Sequence, residues 1–235
     1  MKYLILFVLL FVNLQAEKVV VTIHGYMTTH KCMHRIGRTL RKEGCIVYHF
    51  DYPSLSGSIS ESSRELTSFL KAVNQQHPEC EMNFVTYSLG GIVLRTSVND
   101  PSFPESLKHA KVVMLAPPNQ GSQLGKVLSP LLKAFGRGAG RELARRDFSD
   151  LGEFPPSMQV TVIAGTFGFN PLIAFPNDGK VALHETFLKT PHKFLKMSAC
   201  HTMIMRNPQV IAKVVEEINA QSFNRSDCIL GNTTS

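Results

Sequence analysis

From Lys18 onward, short apolar, β-branched runs alternate with longer stretches in which apolar residues recur at spacings of three and four. The first pattern fits buried strands and the second fits helices that cover them. The chain therefore reads as β/α units around a mainly parallel sheet. The runs predict strands at 18–24, 45–51, 82–87, 111–116, 158–164 and 193–198, and helices near 30–43, 59–75, 89–98 and 206–219. Leu66, Leu70 and Val73 show the helical spacing in the second helix. The expected fold class is α/β, with a compact, mainly parallel sheet of about six strands flanked by helices.

The alternation breaks between Gly121 and Pro156. Leu124, Val127, Leu128, Leu131, Leu132 and Phe135 follow a helical spacing and lead into the Gly-rich basic stretch GRGAGRELARR. Lys126, Lys133, Arg137, Arg141, Arg145 and Arg146 face only Glu142 over 126–146. This segment, 122–157, reads as a helical insertion above the sheet that can serve as a lid; an ordinary helix packed over the sheet is the other reading. No internal repeat is visible.

At 235 residues, with 43% hydrophobic and 18% charged, the chain suits one globular domain over 17–235. Ahead of it, MKYLILFVLLFVNLQA has the form of a signal peptide over 1–16: Lys2, an apolar run, then the small Ala16. The run is shorter than the roughly 20 residues that span a bilayer, so export to periplasm or medium is expected over membrane anchoring. Five cysteines (Cys32, Cys45, Cys80, Cys200, Cys228) permit up to two disulfides, a Cys32–Cys45 bridge among them, and equally permit five thiols. None has zinc-site spacing. The +7 net charge favours anionic surfaces, but no zinc-finger, RNP or helix-turn-helix pattern points to nucleic acid. Asn224 and Asn232 stand in glycosylation sequons that matter only in a eukaryotic secretory pathway.

The candidate chemistry gathers at strand ends. In EMNFVTYSLGGIVLR, Ser88 stands at the junction of a predicted strand and helix, where a tight turn projects its hydroxyl and aims the next backbone N–H at the same point. A serine that merely caps a helix would sit there too. Upstream, KVVVTIHGYM ends a strand at His24-Gly25, where a sharp turn can supply a second N–H. Tyr26 and Leu89 are the candidate oxyanion donors, and His24 is read as a structural imidazole.

A general base must reach the serine from a loop at the same sheet end. His201, between the last predicted strand and the helix near Pro208, fits that place, while His184 and His192 read as surface or core residues. The carboxylate that fixes its tautomer is assigned to Asp178, in the turn FPNDGKVAL. Asp100 falls at a helix end, and Asp147 and Asp150 fall in the insertion.

Taken in order, H-G-Y-M, T-Y-S-L-G-G, A-P-P-N-Q-G-S, N-D-G-K-V and C-H-T resemble the signposts of bacterial α/β-hydrolase lipases and esterases over about 18–218. The order Ser, Asp, His is that of the fold. The resemblance implies a compact variant lacking the fold's first two strands, and an acyl-pocket role for 116–122. Thr86 departs from the pattern in place of the elbow's first glycine. Tyr87 stands where many lipases have His, with substrate choice as the property affected.

The function expected is hydrolysis of carboxylic esters, of lipids or acylglycerols, through an acyl-enzyme on Ser88, with no metal or organic cofactor. The basic, apolar stretch 122–146 would suit peripheral contact with an anionic membrane. An acyltransferase or thioesterase would use the same intermediate. A non-catalytic binding module on the same fold is the alternative of a different class.

Overall fold

The computed structural model describes residues 17–130, 138–143, 148–220 and 228–229. The signal-peptide reading at 1–16, the insertion residues 131–137 and 144–147, and the two sequons lie outside them.

Seven strands form one sheet: β1 (Lys18–Ile23), β2 (Ile46–Phe50), β3 (Glu81–Tyr87), β4 (Lys111–Leu115), β5 (Gln159–Gly165), β6 (His192–Met197) and β7 (Cys228–Ile229), in the order β2-β1-β3-β4-β5-β6-β7. The first six are parallel. They fall where the apolar runs predict them. The two-residue β7 is unpredicted and pairs antiparallel with β6, Lys193 opposite Cys228.

Side chains alternate between faces, as the period of two requires. Val19, Val21, Ile23, Met82 and Phe84 pack under α2 (Ile59–Gln76) and α3 (Leu89–Val98). Val20, Val85, Tyr87, Val113 and Leu115 pack under α1 (His34–Lys42) and α6 (Pro208–Asn219). Two further helices, α4 (Gln123–Val127) and α5 (Ala139–Glu142), belong to the insertion. Its far end is anchored: Phe148 and Phe154 are buried in the α2–α3 core.

Helix ends are set by local chemistry. Ser58 opens α2 with a capping box: its hydroxyl accepts from Glu61 N–H at 3.1 Å, and the Glu61 carboxylate accepts from Ser58 N–H at 2.9 Å. Asn207 caps α6, accepting from Gln209 N–H at 2.9 Å, ahead of Pro208 in the first turn. The predicted helix at 30–43 begins as a 3-10 turn, His30–Met33, before α1 proper.

All five cysteines are free thiols. Cys32 and Cys45 lie on either side of α1, whose nine residues at about 1.5 Å each keep them well beyond the roughly 7 Å that a bridge allows.

Chain order reverses between β1 and β3: β2 lies on one side of β1, and every later strand is added on the other. The crevice outside the carboxyl ends of the strands at such a switch point is where open α/β sheets bind ligands. Here it falls between the segments that follow Ile23 and Tyr87.

One contact between α1 and β2 makes the fold sensitive to acid. His49 of β2 accepts a tight approach from Gly37 of α1, where an added Cβ would lie 2.4 Å from the ring. Its Nδ1 meets Thr22 Oγ1 at 2.6 Å, and its buried Nε2 has no hydrogen-bond partner. Burial, then the Arg41 guanidinium, lowers its pKa to about 4, against about 6.5 in an unfolded chain. The unfolded state therefore takes up a proton below pH 6.5 that the native state refuses until about pH 4. Stability should be full above pH 6.5 and fall as pH drops from 6.5 to 4, read as the urea midpoint, with a shallower fall in His49→Gln.

Candidate active site

Ser88 stands between β3 and α3 with φ 50° and ψ −122°, a conformation that L-residues avoid. Surrounding contacts impose it. Ser88 N–H donates to Leu115 O at 2.8 Å, and small residues let β1, β3 and α3 close in. A Cβ on Gly90 would lie 2.5 Å from His24 O and 2.6 Å from Ile23 O, and one on Gly25 would lie 3.0 Å from Ser88 Cβ. Thr86 fits in place of the first elbow glycine. It is fully buried, and its hydroxyl has no partner among the described residues.

The structure brings together the three residues that the sequence singled out. His201 Nε2 lies 3.1 Å from Ser88 Oγ, and His201 Nδ1 lies 2.7 Å from Asp178 Oδ2. A carboxylate can only accept, so Nδ1 carries the proton and Nε2 offers its lone pair to the serine hydroxyl. Asp178 is buried, and its other oxygen accepts from Lys180 N–H at 3.0 Å and Val181 N–H at 2.8 Å. His201 N–H donates to Asp178 O at 2.9 Å, so backbone and side chain dock together. Gly165 and Gly168 leave room for that turn: a Cβ on the first would lie 2.8 Å from Asp178 Cβ, and one on the second 2.1 Å from Asp178 C.

Beside Ser88, neither Tyr26 N–H nor Leu89 N–H has an acceptor among the described residues. Leu89 opens α3, where the free N–H groups carry the positive end of the helix dipole. The loop holding Tyr26 is cross-braced. Thr28 Oγ1 accepts from Gly25 N–H at 3.1 Å and donates to Gly25 O at 2.8 Å. His24 is structural, as expected: Nδ1 bonds Gly25 O at 2.9 Å, and Nε2 accepts from Tyr52 N–H at 3.2 Å. Burial holds its pKa below the ordinary histidine value, against the opposing pull of the Asp51 carboxylate.

Tyr87 has a role that the sequence did not disclose. Its hydroxyl donates to His201 O at 3.1 Å, and the two rings lie 5.3 Å apart. Burial pushes the phenol well above its ordinary pKa, so it stays a donor. Arg95, fully buried on α3, donates to Asn119 O at 3.2 Å and Phe148 O at 2.8 Å. Asn119 Nδ2 continues to Thr186 O at 2.8 Å. Glu185, buried and with its pKa raised by that burial, accepts from Ala182 N–H at 2.7 Å and from Gln123 N–H. This web ties 116–123 to the segment after Asp178. A lone arginine in an apolar helix is the one signal that could have pointed to it.

The remaining candidates fall away from the cluster. His184 is exposed and His192 is buried in the core. Asp100 is engaged by Ser102 N–H at 2.7 Å, Asp150 is exposed, and Asp147 lies outside the described residues.

The profile of one protein family matches residues 11–130, just over half of the chain. The chain belongs to that family, described as a domain of unknown function, DUF7379. No curated protein matches its sequence. Among solved structures, this DUF7379 protein is similar to the mature lipase BlEst2 of Bacillus licheniformis, with 16% identity and a TM-score of 0.67 over 85% of this chain and 92% of that one. It is also similar to the phospholipase PlaB of Legionella pneumophila, with 15% identity and a TM-score of 0.70, over 90% of this chain and 60% of that one. A soluble variant of monoglyceride lipase from Saccharomyces cerevisiae gives 12% identity and a TM-score of 0.62, over 88% and 86%. The fold is that of the α/β-hydrolase superfamily.

The strained corner gives a direct test of the packing around Ser88. Gly90→Ala must push α3 off the carbonyls of Ile23 and His24, which are backbone and cannot turn aside. It should cost about 1–3 kcal/mol of stability in urea unfolding.

Proposed function

We propose that this DUF7379 protein is an exported serine hydrolase that cleaves carboxylic esters, lipid or acylglycerol esters in particular, through an acyl-enzyme on Ser88. The observation that carries the reading is the hydrogen-bonded line from Ser88 Oγ through His201 to Asp178, built on a positive-φ serine at a helix N-terminus. Such a line supplies a nucleophile, its base and the group that orients the base. The solved proteins that share the fold, named as a lipase, a phospholipase and a monoglyceride lipase, support an ester as substrate.

In this mechanism Ser88 Oγ attacks the ester carbonyl carbon as its proton passes to His201 Nε2. The tetrahedral oxyanion is held by Tyr26 and Leu89 N–H, each donor contributing about 3 kcal/mol. The intermediate collapses, the C–O bond to the alcohol breaks, and His201 returns the proton to the leaving oxygen. Water then repeats the sequence and frees the acid. Asp178 accepts from His201 Nδ1 throughout and stabilises the imidazolium.

A lipid substrate is supported by where apolar surface lies. Of the large apolar side chains exposed among the described residues, all but Ile229 sit on segments following β1, β2, β4, β5 and β6, around the Ser88 crevice. Phe169 and Phe175 are 85% and 58% exposed, with rings 5.8 Å apart; Met27, Leu55, Leu128 and Met203 come from other loops. A rim of this kind marks an interaction surface. The insertion, with Val127 and Leu128 exposed beside Lys126, would act as a lid or as the contact with an anionic membrane. The apolar run before Ala16 supports export.

Purified protein should hydrolyse p-nitrophenyl esters, with longer acyl chains preferred, and Ser88→Ala should reduce the rate to background. No turnover by the folded wild-type protein would overturn the reading, and transfer to added alcohols in preference to water would reassign it to acyl transfer. Asp178→Asn should leave KM close to wild type and lower kcat on the order of 10³–10⁴-fold, because the amide holds the wrong imidazole tautomer.

A further inference from the structure

Beside the loop that carries His201 lies a groove of about 850 Å³ that the mechanism does not use. Its walls combine two kinds of surface. Phe167, from the segment after β5, and Met203, two residues beyond His201, line it and are 69% and 48% exposed. Arg35 of α1 and Arg206, just before α6, line it as well, and both are exposed. No aspartate or glutamate contributes to the lining, and among the described residues neither guanidinium has a carboxylate partner. Cys200, adjacent to His201, forms part of the wall.

Two guanidiniums without a carboxylate partner among the described residues, lining one largely apolar groove, match an oxyanion attached to an apolar chain. Guanidinium donors hold carboxylate or phosphate oxygens in pairs, and the phenyl ring and thioether cover the hydrocarbon next to it. Position adds to this. In the proposed reaction His201 hands its proton to the leaving oxygen, so the alcohol part of the ester departs on the His201 side. We propose that the Arg35–Arg206 groove is a subsite for an anionic amphiphile, and that it takes the negatively charged head group of the ester's alcohol part. The ligand class stands on the groove alone; its link to the leaving group rests on the ester-hydrolase reading above.

The test separates the two. Binding of monomeric dodecyl phosphate to Ser88→Ala protein is measured by calorimetry, so no turnover is needed. Dodecyl phosphate should bind, and dodecyltrimethylammonium should not. Arg35→Ala and Arg206→Ala should each weaken binding about tenfold, with the double variant near a hundredfold. Arg38→Ala, which removes another exposed cation of α1 that does not line this groove, should stay within about twofold. Equal loss in Arg38→Ala, or undiminished binding in a folded double variant, would overturn the proposal. Inorganic phosphate binding as tightly as dodecyl phosphate would overturn its amphiphile part. With Ser88 intact, the arginine variants should raise KM for an ester with a phosphate-bearing alcohol, below its micelle concentration, and leave p-nitrophenyl butyrate hydrolysis unchanged. An effect seen only on anionic vesicles would assign the anion to a neighbouring lipid and overturn the leaving-group assignment.

Discussion

The turn from β3 into α3 holds a serine in a backbone conformation that costs on the order of 1–3 kcal/mol, and the rest of the site depends on its being held there. The cost is met by packing on every side. Gly25 and Gly90 admit the backbone of β1 and the flank of Ser88 to distances that no Cβ would tolerate, and Leu115 O fixes the serine amide. With that corner rigid, the Ser88 hydroxyl meets His201 Nε2 beside the residues that open α3. The switch in strand order places that corner at the mouth of the sheet. Without the corner, His201 and Asp178 would be an ordinary buried hydrogen-bonded pair.

Around this corner, buried polar groups are spent on holding loops in register. Arg95 reaches from α3 to Asn119 and Phe148, Asn119 reaches to Thr186, and Tyr87 reaches from β3 to the backbone of His201. Each of these groups is buried with its partner, so removing one end leaves the other unsatisfied. The loops after β4, β5 and β6 are thereby tied to β3 and α3. The line from Ser88 through His201 to Asp178, with contacts of 3.1 and 2.7 Å, is braced by them.

The parallel strands and the four long helices were legible because each element is buried along one continuous pattern: both faces of a strand such as KVVVTI, or one stripe of a helix such as Leu66–Leu70–Val73. Ser88 and His201 were legible as strand-end residues, and Asp178 as an aspartate in a turn-forming run. β7 was not, because two residues carry no periodicity. Nor was the work of Tyr87: a phenol that donates 114 positions along the chain leaves no local trace, and from its place in the motif it reads as a matter of substrate choice. The Arg35–Arg206 groove is equally silent in sequence, since it forms only where α1 meets the loop after β6.

The pairing of Cys228 and Ile229 with β6 is small, yet it covers His192 and Lys193 at the start of what is otherwise the edge strand of the described sheet. An uncovered edge of a parallel sheet presents a ladder of unmet donors and acceptors to any other chain with the same need. The last described residues thus work like the hem of a cloth. They add little to the strength of the fabric, but along that stretch they keep its margin from catching on the next piece.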